Sequence, residues 1–175
     1  SIAIQTKYLE LKLTNSKDHL EKIIIIKGII VGQSILYQEI ENIYGLLDLL
    51  EIEIQFLINP DGGHKTRSPV LQIELLRHLV EIRSVIAILN KVDAETLHKK
   101  TLKMGEFCRS FQMPNGNFAW FNGGSLVSKD LIKQTLDRIG YKNKIFSMAK
   151  QTGFCRLSNQ ESVVFIDTAV SYTHL

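Results

Sequence analysis

The spacing of apolar residues constrains this chain more than any other feature of its sequence. Between residues 4 and 59 apolar side chains recur every three or four positions, and one such series is Leu36, Ile40, Ile43, Leu47, Leu50, Ile54 and Leu57. This is the period of a helix that buries one face. We therefore predict a first partial helix to about Leu13, a second from about Asp18 to Tyr37, and a third from about Gln38 or later to Ile58.

The turn sequence Asn59-Pro60-Asp61-Gly62-Gly63 must end the third helix. Proline fixes φ and the glycines permit a positive φ, so a tight turn is predicted here. After the turn, Ser68 can cap a new helix and Pro69 suits its first position. The predicted helix carries an apolar stripe formed by Leu71, Leu75, Leu79, Ile82, Ile86 and Leu89.

One more helix and a second turn complete the helical part. Asp93 can cap a helix that runs to about Arg109, and its expected buried side chains are Leu97, Leu102, Met104 and Phe107. A turn over residues 113–117 then leads through four largely aromatic residues into Asn122-Gly123-Gly124. Helices joined by short loops predict an α/α layer. No internal repeat of fixed period is evident.

After about Tyr141 the pattern changes to short runs that favour β-structure. The runs cover residues 154–157 and 163–166, and the polar segment 158–161 separates them. This arrangement is typical of a hairpin or of two neighbouring strands. The sequence thus predicts a mainly α chain that ends in the beginning of an all-β unit.

Composition and charge exclude several classes of protein. The chain has 175 residues, of which 45% are hydrophobic and 22% charged, enough for one substantial core and at most two small domains. The net charge of +3 is small and its basic residues are scattered, which argues against nucleic-acid binding but leaves room for a weakly basic cleft. The longest apolar run, residues 23–31, is interrupted by Lys27 and Gly28 and falls short of the roughly 20 residues of a membrane span, so we predict a buried helix.

No metal or cofactor is predicted. Cys108 and Cys155 lie far apart in sequence, which favours two buried thiols over a disulfide or a metal site. No zinc-ligand spacing, phosphate-binding loop or dinucleotide-binding loop occurs. The compartment stays open between a bacterial periplasm and cytoplasm, because the chain begins at Ser1 without a signal-peptide pattern. The oligomeric state is also left open.

The densest polar cluster consists of Asp61, His64, Lys65, Arg67 and Ser68 on the glycine-rich loop. Such a loop before a helix presents N–H groups to an anion, and a His beside an Arg can neutralise a carboxylate. The alternative is a tight inter-helix turn in which Asp61 pairs with Arg67 and His64 caps a helix end. For Trp120 with its neighbouring phenylalanines, core packing is favoured over stacking on a sugar ring. The other four histidines are assigned no role.

Three segments resemble one known family. Asp61-Gly62-Gly63-His64 through Ser68-Pro69, then residues 113–123, then residues 153–167 are similar, in this order, to segments of heparinase II/III-like proteins, a family of polysaccharide lyases. The second segment has Met113-Pro114 where the family often has His-Gly. The resemblance implies part of an incomplete (α/α) toroid over residues 1–140, the truncated first strands of an antiparallel β-sandwich over 141–169, and an unmatched tail over 170–175.

The resemblance also implies a reaction and site residues. Family members cleave uronic-acid-containing polysaccharides by β-elimination, in which a neutralised carboxylate allows the proton on the adjacent carbon to be removed. By this resemblance His64 is the catalytic residue, as neutraliser or as base, and Arg67 binds the carboxylate. Asn122 contacts the sugar or fixes its loop, and Trp120 contacts the substrate. The implied partner is an acidic polysaccharide or oligosaccharide.

Two departures from the family leave the activity open. Val70-Leu71 stand where characterised lyases often carry Tyr followed by His, so the base is unassigned. The sandwich is cut short, so we expect this piece to be inactive alone. The competing hypotheses are a non-catalytic carbohydrate-binding or cell-envelope protein on the same scaffold, and a helical interaction domain. If His64 lies in an open cleft, its replacement should cost little stability.

Overall fold

A computed structural model describes residues 1–37, 40–89, 92–140, 145–159 and 162–168. Within these ranges there are six helices: α1 (Ile2–Asn15), α2 (His19–Tyr37), α3 (Ile43–Leu57), α4 (Pro69–Ile88), α5 (Glu95–Ser110) and α6 (Lys129–Asp137). Three strands form one antiparallel sheet in the order β1 (Met148–Ala149), β2 (Phe154–Ser158) and β3 (Val163–Asp167). The predicted mainly helical class with an antiparallel β end is confirmed.

Most predicted boundaries agree with the structure. The second helix ends at Tyr37 and the fourth begins at Pro69, as proposed. Asp93 accepts a hydrogen bond from the amide of Glu95 at 2.9 Å, which confirms its capping role. The third helix begins at Ile43, and the earlier start proposed at Gln38 lies outside the described residues. The helix α6 and the short strand β1 were not predicted.

Two compact units divide the chain. Unit 1 comprises residues 1–57 and 74–101, and unit 2 comprises residues 58–73 and 102–175. The helices α4 and α5 each contribute residues to both units. The predicted division near residue 140 into toroid and sandwich stays a prediction.

The core of unit 1 is built on α2, against which α1 and α3 pack. Five isoleucines of α2 are buried: Ile23, Ile25, Ile26, Ile29 and Ile30. The predicted buried helix is thereby confirmed, and no helix among the described residues is long and apolar enough to cross a membrane. Helix α1 packs closely against α2 at two glycines of α2. A Cβ added at Gly32 would collide with Thr6, and one added at Gly28 would collide with Leu9.

A buried carboxylate ties α3 to the start of α2. Glu53 is only 2% exposed, and it accepts hydrogen bonds from Lys22 at 2.8 Å and from His19 at 2.6 Å. Burial alone would raise the pKa of Glu53, but the hydrogen bonds from these two partners outweigh it and hold the pKa below the usual value. A buried charge is thus compensated, as it must be in a core.

A second buried polar group of unit 1 is His78 on α4. Its Nδ1 lies 2.9 Å from Nζ of Lys27, which also binds Glu81 at 2.7 Å. Burial, and then the positive charge of Lys27, lower the pKa of His78 to about 4. His78 is therefore neutral near pH 7, and its Nδ1 accepts a hydrogen bond from the ammonium group.

In unit 2 the inner face of the sheet packs on an aromatic cluster. Phe111, the residue directly after α5, meets Phe154 of β2 edge-on, with ring centroids 4.9 Å apart, and stacks on Phe165 of β3 at 5.3 Å. Phe121 completes the cluster at 5.2 Å from Phe154. Phe111 and Phe154 are almost fully buried. Aromatic contacts therefore join the sheet to the segment that follows α5 and to the loop after residue 117.

The outer face of the sheet is apolar and exposed. The strand register places Cys155 opposite Ile166 and Leu157 opposite Val164. Four side chains of this face have large exposed fractions: Met148 58%, Leu157 54%, Val164 51% and Ile166 43%. Cys155 is half-buried here, whereas Cys108 is fully buried and burial raises the pKa of its thiol; neither forms a disulfide.

Candidate functional site

The loop between α3 and α4 is a tight turn, as its sequence predicted. The amide of Asn59 donates to the Gly63 carbonyl at 2.8 Å, and the amide of Gly62 donates to the Asn59 carbonyl at 2.9 Å. Ile58 and His64 pair across the turn as an isolated antiparallel bridge. Gly62 has a φ of 91°, and a Cβ there would press on the carbonyl of Lys103, so no other residue fits without strain.

Asp61 fastens this turn to the turn that precedes β2. One carboxylate oxygen accepts from the amides of Gln151 at 2.9 Å and Thr152 at 2.8 Å. The other oxygen accepts from the Thr152 hydroxyl at 2.6 Å and from the amide of Gly63 at 3.2 Å. The predicted alternative in which Asp61 pairs with Arg67 is therefore wrong, because both carboxylate oxygens of Asp61 accept hydrogen bonds from backbone amides or a hydroxyl group instead.

Gln72 supports the loop from α4 and was missed by sequence reasoning. Its side chain is 1% exposed, and its oxygen accepts from the His64 amide at 2.6 Å. Its nitrogen donates to the carbonyls of Gly62 at 2.8 Å and Met104 at 3.3 Å. One feature of the sequence could have revealed this role: Gln72 is an amide side chain between the apolar residues Leu71 and Ile73 at the start of an apolar helix, where a buried polar group needs hydrogen-bond partners.

His64 is buried rather than open in a cleft. Its exposed fraction is 6%, and burial lowers the pKa of its imidazole. Nδ1 accepts a hydrogen bond from the amide of Thr66 at 3.2 Å and lies 2.8 Å from the Thr66 hydroxyl. Because Nδ1 is an acceptor, the neutral ring carries its proton on Nε2. The open cleft on which a small stability cost for replacing His64 depended is therefore absent, and the cost itself stays a prediction.

Arg67 is held at its backbone and at its side chain. Its φ is 59°, a left-handed conformation that is unfavourable for a residue with a Cβ. The carbonyl of Arg67 accepts a hydrogen bond from Nδ2 of Asn122 at 3.2 Å, and Asn122 itself has a φ of 45°. Nη1 of Arg67 donates to Oδ1 of Asp167, at the end of β3, at 2.5 Å. Asn122 thus contacts the loop of His64 and Arg67, and its contact with a sugar stays a prediction.

Trp120 is exposed, in contrast to the prediction of core packing. Its exposed fraction is 63%, while Phe118 two positions earlier is 5% exposed. Phe121 is half-buried in the aromatic cluster. The three aromatic residues therefore separate into two that anchor the segment and one indole that faces solvent.

The turn over residues 113–117 repeats the geometry of the turn over residues 59–63. The amide of Met113 donates to the carbonyl of Asn117 at 2.8 Å, and the amide of Gly116 donates to the carbonyl of Met113 at 2.8 Å. Asn115 Oδ1 accepts from the amide of Asn117 at 3.0 Å, as Asp61 does from Gly63. Each turn follows a long helix and has the pattern x-Pro-Asx-Gly-x. A repeated turn is present, although no fixed-period repeat was evident from the sequence.

The fold therefore brings together part of the predicted site. His64 and Arg67 share one loop, Asn122 bonds to that loop, and Trp120 precedes Asn122 by two positions. Among the described residues of unit 2 there is no tyrosine, and Tyr37 and Tyr44 belong to unit 1. No group of three metal-ligating side chains occurs in the part of the chain that the structure describes.

Two cavities of unit 1 contain none of the candidate residues. One, of about 180 Å³, lies between α3 and the start of α5 and is bordered by Tyr44, Asp48 and Lys100. The other, of about 540 Å³, lies along α1 and α2 beside Gly28 and Gly32. The residues singled out from the sequence lie on the loops of unit 2 instead.

The fold is mainly helical with a small antiparallel sheet, and comparison with known proteins finds a partial sequence match for the chain. No family model matches the chain, and no solved structure matches it. The chain is 25% identical over 121 residues to FtsZ-localized protein C of Caulobacter vibrioides (strain NA1000 / CB15N). The match covers 69% of this chain and 21% of that protein, so the chain spans about a fifth of the length of this relative. A likeness of this extent assigns no family.

Proposed function

We propose that this chain is part of a heparinase II/III-like polysaccharide lyase that acts on uronic-acid-containing chains by β-elimination. The observation that carries the proposal is the hydrogen bond from Asn122 Nδ2 to the Arg67 carbonyl at 3.2 Å. It joins two motif segments that are 55 residues apart and that sequence reasoning assigned to one site. We call Arg67, Trp120 and Asn122, together with the buried His64 of the Arg67 loop, the glycan surface.

The hydrogen-bond donors of the glycan surface suit a carboxylate. Arg67 offers a guanidinium whose planar N–H groups match a carboxylate, and its side chain is 24% exposed. His64 is only 6% exposed and is neutral near pH 7 with its proton on Nε2, so in the neutralising role it would act as a hydrogen-bond donor and not as a charge. This tautomer favours the neutralising role for His64 over that of a base acting through Nε2. Neutralisation is what elimination needs, because it makes the adjacent carbon acidic.

The exposed indole of Trp120 suits the apolar face of a pyranose. An aromatic ring that faces solvent at 63% exposure contributes little to a core but can stack on the C–H face of a sugar. Phe118 is buried and fixes the backbone two positions before it. The indole therefore lies on an anchored segment, two positions before the residue that bonds to the Arg67 loop.

The toroid and the sandwich belong to the same proposal. Long helices joined by tight turns of matching geometry are the units from which an (α/α) toroid is built. The sheet buries one apolar face and exposes the other, and such a two-faced pattern is typical of one layer of a β-sandwich. Both features support the proposed architecture for the longer protein.

Binding can be tested with the chain as it stands. Trp120 is the one tryptophan in the sequence, so its fluorescence reports on the glycan surface alone. Titration with uronate oligosaccharides should change this fluorescence, and the same oligosaccharides with reduced, uncharged carboxyl groups should not. Arg67→Gln should strongly weaken the binding, whereas Arg138→Gln, a change elsewhere in unit 2, should leave it intact. No response to any acidic oligosaccharide would contradict the proposal.

Elimination needs a longer protein that includes this segment. Its reaction with acidic polysaccharides should yield unsaturated uronate, detected by ultraviolet absorbance, and His64→Leu should abolish that signal. Leucine keeps much of the ring volume but has no N–H donor, and folding can be checked separately by circular dichroism.

A second candidate function is non-catalytic carbohydrate binding. It is favoured by Val70-Leu71, which stand where characterised lyases often carry Tyr followed by His. It predicts the fluorescence response without any unsaturated product. The name of the similar Caulobacter protein suggests that a protein of this second kind could localise with FtsZ. Imaging a fluorescent fusion of the longer protein with and without FtsZ depletion tests this.

A further inference from the structure

We infer that Asp167 is a positioning residue, which holds the guanidinium of Arg67 in place to receive the carboxylate of an acidic sugar. The inference rests on the proposed function of the glycan surface and adds to it a residue from the sheet. Asp167 closes β3, and its Oδ1 accepts the hydrogen bond from Arg67 Nη1 at 2.5 Å across 100 residues of sequence. The two side chains are 24% and 33% exposed, so solvent and ligand reach both.

The geometry of Arg67 shows that its side chain is restrained from both ends. Its backbone adopts the left-handed conformation, which a residue with a Cβ keeps only when its surroundings enforce it. Asn122 binds the carbonyl of Arg67, and Asp167 binds the end of its side chain. A long, flexible side chain that is fixed in this way loses less freedom when a ligand binds.

Asp167 is itself firmly placed. It pairs with Phe154 in the register of β2 and β3, and Phe154 is almost fully buried. The next residue, Thr168, donates its amide to the carbonyl of Gly153 at 2.8 Å. Gly153 follows Thr152, which Asp61 of the same loop holds by two hydrogen bonds. The loop over residues 59–67 is therefore tied to the sheet at both ends, by Asp61 at one and by Arg67 at the other.

The contact with Asp167 engages one nitrogen, Nη1. A guanidinium has several N–H groups directed to different sides, so a partner on one side can orient the group while another side receives a ligand. An orienting carboxylate of this kind corresponds to the outer partners that direct the ligands of a metal site. The same carboxylate could act instead as a competitor that a sugar must displace, and that alternative predicts the opposite change in affinity.

The test uses the 175-residue chain and the Trp120 fluorescence titration with a uronate oligosaccharide. Asp167→Asn should weaken binding roughly tenfold, the loss expected when an orienting partner is removed. In an Arg67→Gln background the same change should have no further effect on residual binding, because Asp167 acts through Arg67. Asp137→Asn is the matched control, since Asp137 also forms an ion pair in unit 2, with Lys133 at 2.7 Å, but away from the loop. It should leave affinity unchanged.

A second measurement is independent of any sugar. In spectra of the ¹⁵N-labelled guanidinium groups, Arg67 should show hindered rotation in the unaltered chain and free rotation in Asp167→Asn. If rotation is equally hindered in both, or if Asp167→Asn binds the oligosaccharide as well as or more tightly than the unaltered chain, the inference is overturned. If the unaltered chain binds no acidic sugar while Arg67 is released in Asp167→Asn, the proposed function fails and the holding of Arg67 by Asp167 stands.

Discussion

Asp61 and Thr152 are joined by two hydrogen bonds across 91 residues, one to the amide of Thr152 at 2.8 Å and one to its hydroxyl at 2.6 Å. Thr152 is 2% exposed, so the carboxylate satisfies donors that water does not reach. Through these hydrogen bonds, the loop whose sequence suggests a functional site also holds two distant segments of unit 2 together. Polar residues of the motif thus serve the fold as well as the proposed chemistry.

Removal of the Asp61 carboxylate should strongly destabilise the chain. We expect Asp61→Ala to lower the free energy of unfolding by about 2–3 kcal/mol, because several buried donors lose a charged acceptor. Asn115→Ala is the matched control: it removes an Asx side chain from the same place in the repeated turn, where the contact is with the nearby amide of Asn117. It should cost no more than about 1 kcal/mol. Urea unfolding measures both, and equal losses would contradict the role of Asp61.

The two faces of the sheet should respond differently to substitution. Phe154→Ala removes an almost fully buried ring that meets Phe111 and should cost about 3–5 kcal/mol. Leu157→Thr alters a side chain that is 54% exposed and should change stability by only about 0.5 kcal/mol.

The outer face has a second test. A Leu157→Thr, Val164→Thr double variant should bind less of a dye specific for apolar surfaces than the unaltered chain, because it breaks up the exposed patch. Undiminished dye binding would show that this face is covered in solution.

Stability should fall as the pH drops below about 6.5, partly through His78. The pKa of His78 is lowered to about 4 in the folded chain from an ordinary value of 6.5, so the unfolded chain takes up its proton first. Neutral His78 contributes fully to the free energy of unfolding at pH values above its ordinary pKa. This contribution is lost as the pH falls toward the pKa of His78 in the folded chain, at up to about 1.4 kcal/mol per pH unit. His78→Gln should make the decline shallower between about pH 6.5 and 5, above the range in which carboxylates titrate.

Lys27 supplies an internal check on that prediction. Burial is the first cause of the lowered pKa of His78 and the charge of Lys27 is the second, so Lys27→Met should raise the pKa of His78. An NMR titration of the imidazole measures the midpoint directly. A midpoint that does not move would mean that the 2.9 Å contact between Lys27 and His78 has no electrostatic effect.

Trp120 should behave as a solvated side chain. Its emission should be typical of an indole in water and accessible to acrylamide quenching, since it is 63% exposed. Trp120→Ala should change the free energy of unfolding by only about 0.5 kcal/mol. A large loss of stability would instead support the core-packing prediction that the structure contradicts.

Local signals in the sequence predicted the helices well and their distant partners poorly. Pro69 and the turn at Asn59 set helix ends through the covalent restriction of φ, so those boundaries could be predicted directly. The nine-residue helix α6 was missed, although Ile132 and Leu136 are buried at helical spacing within it. So short a segment carries too few apolar positions to stand out from a loop.

The candidate site was predictable in its members but not in its connections. The motif residues indicated which side chains to examine, and Asn122 does meet the Arg67 loop. The partners of Asp61 and Arg67 lie 91 and 100 residues away, and no local pattern specifies which donor or acceptor the fold will bring to a loop. The exposure of Trp120 was mispredicted for the same reason, because its phenylalanine neighbours fill the space nearest the core.

The two compact units have a consequence for dissecting the gene. Each unit consists of two separate stretches of sequence, and the path of the chain changes unit after residues 57, 73 and 101. Two of these changes fall inside the continuous helices α4 and α5. No single truncation point therefore releases either unit whole, and any deletion made to isolate the loop of His64 and Arg67 would remove or cut a helix that the other unit needs.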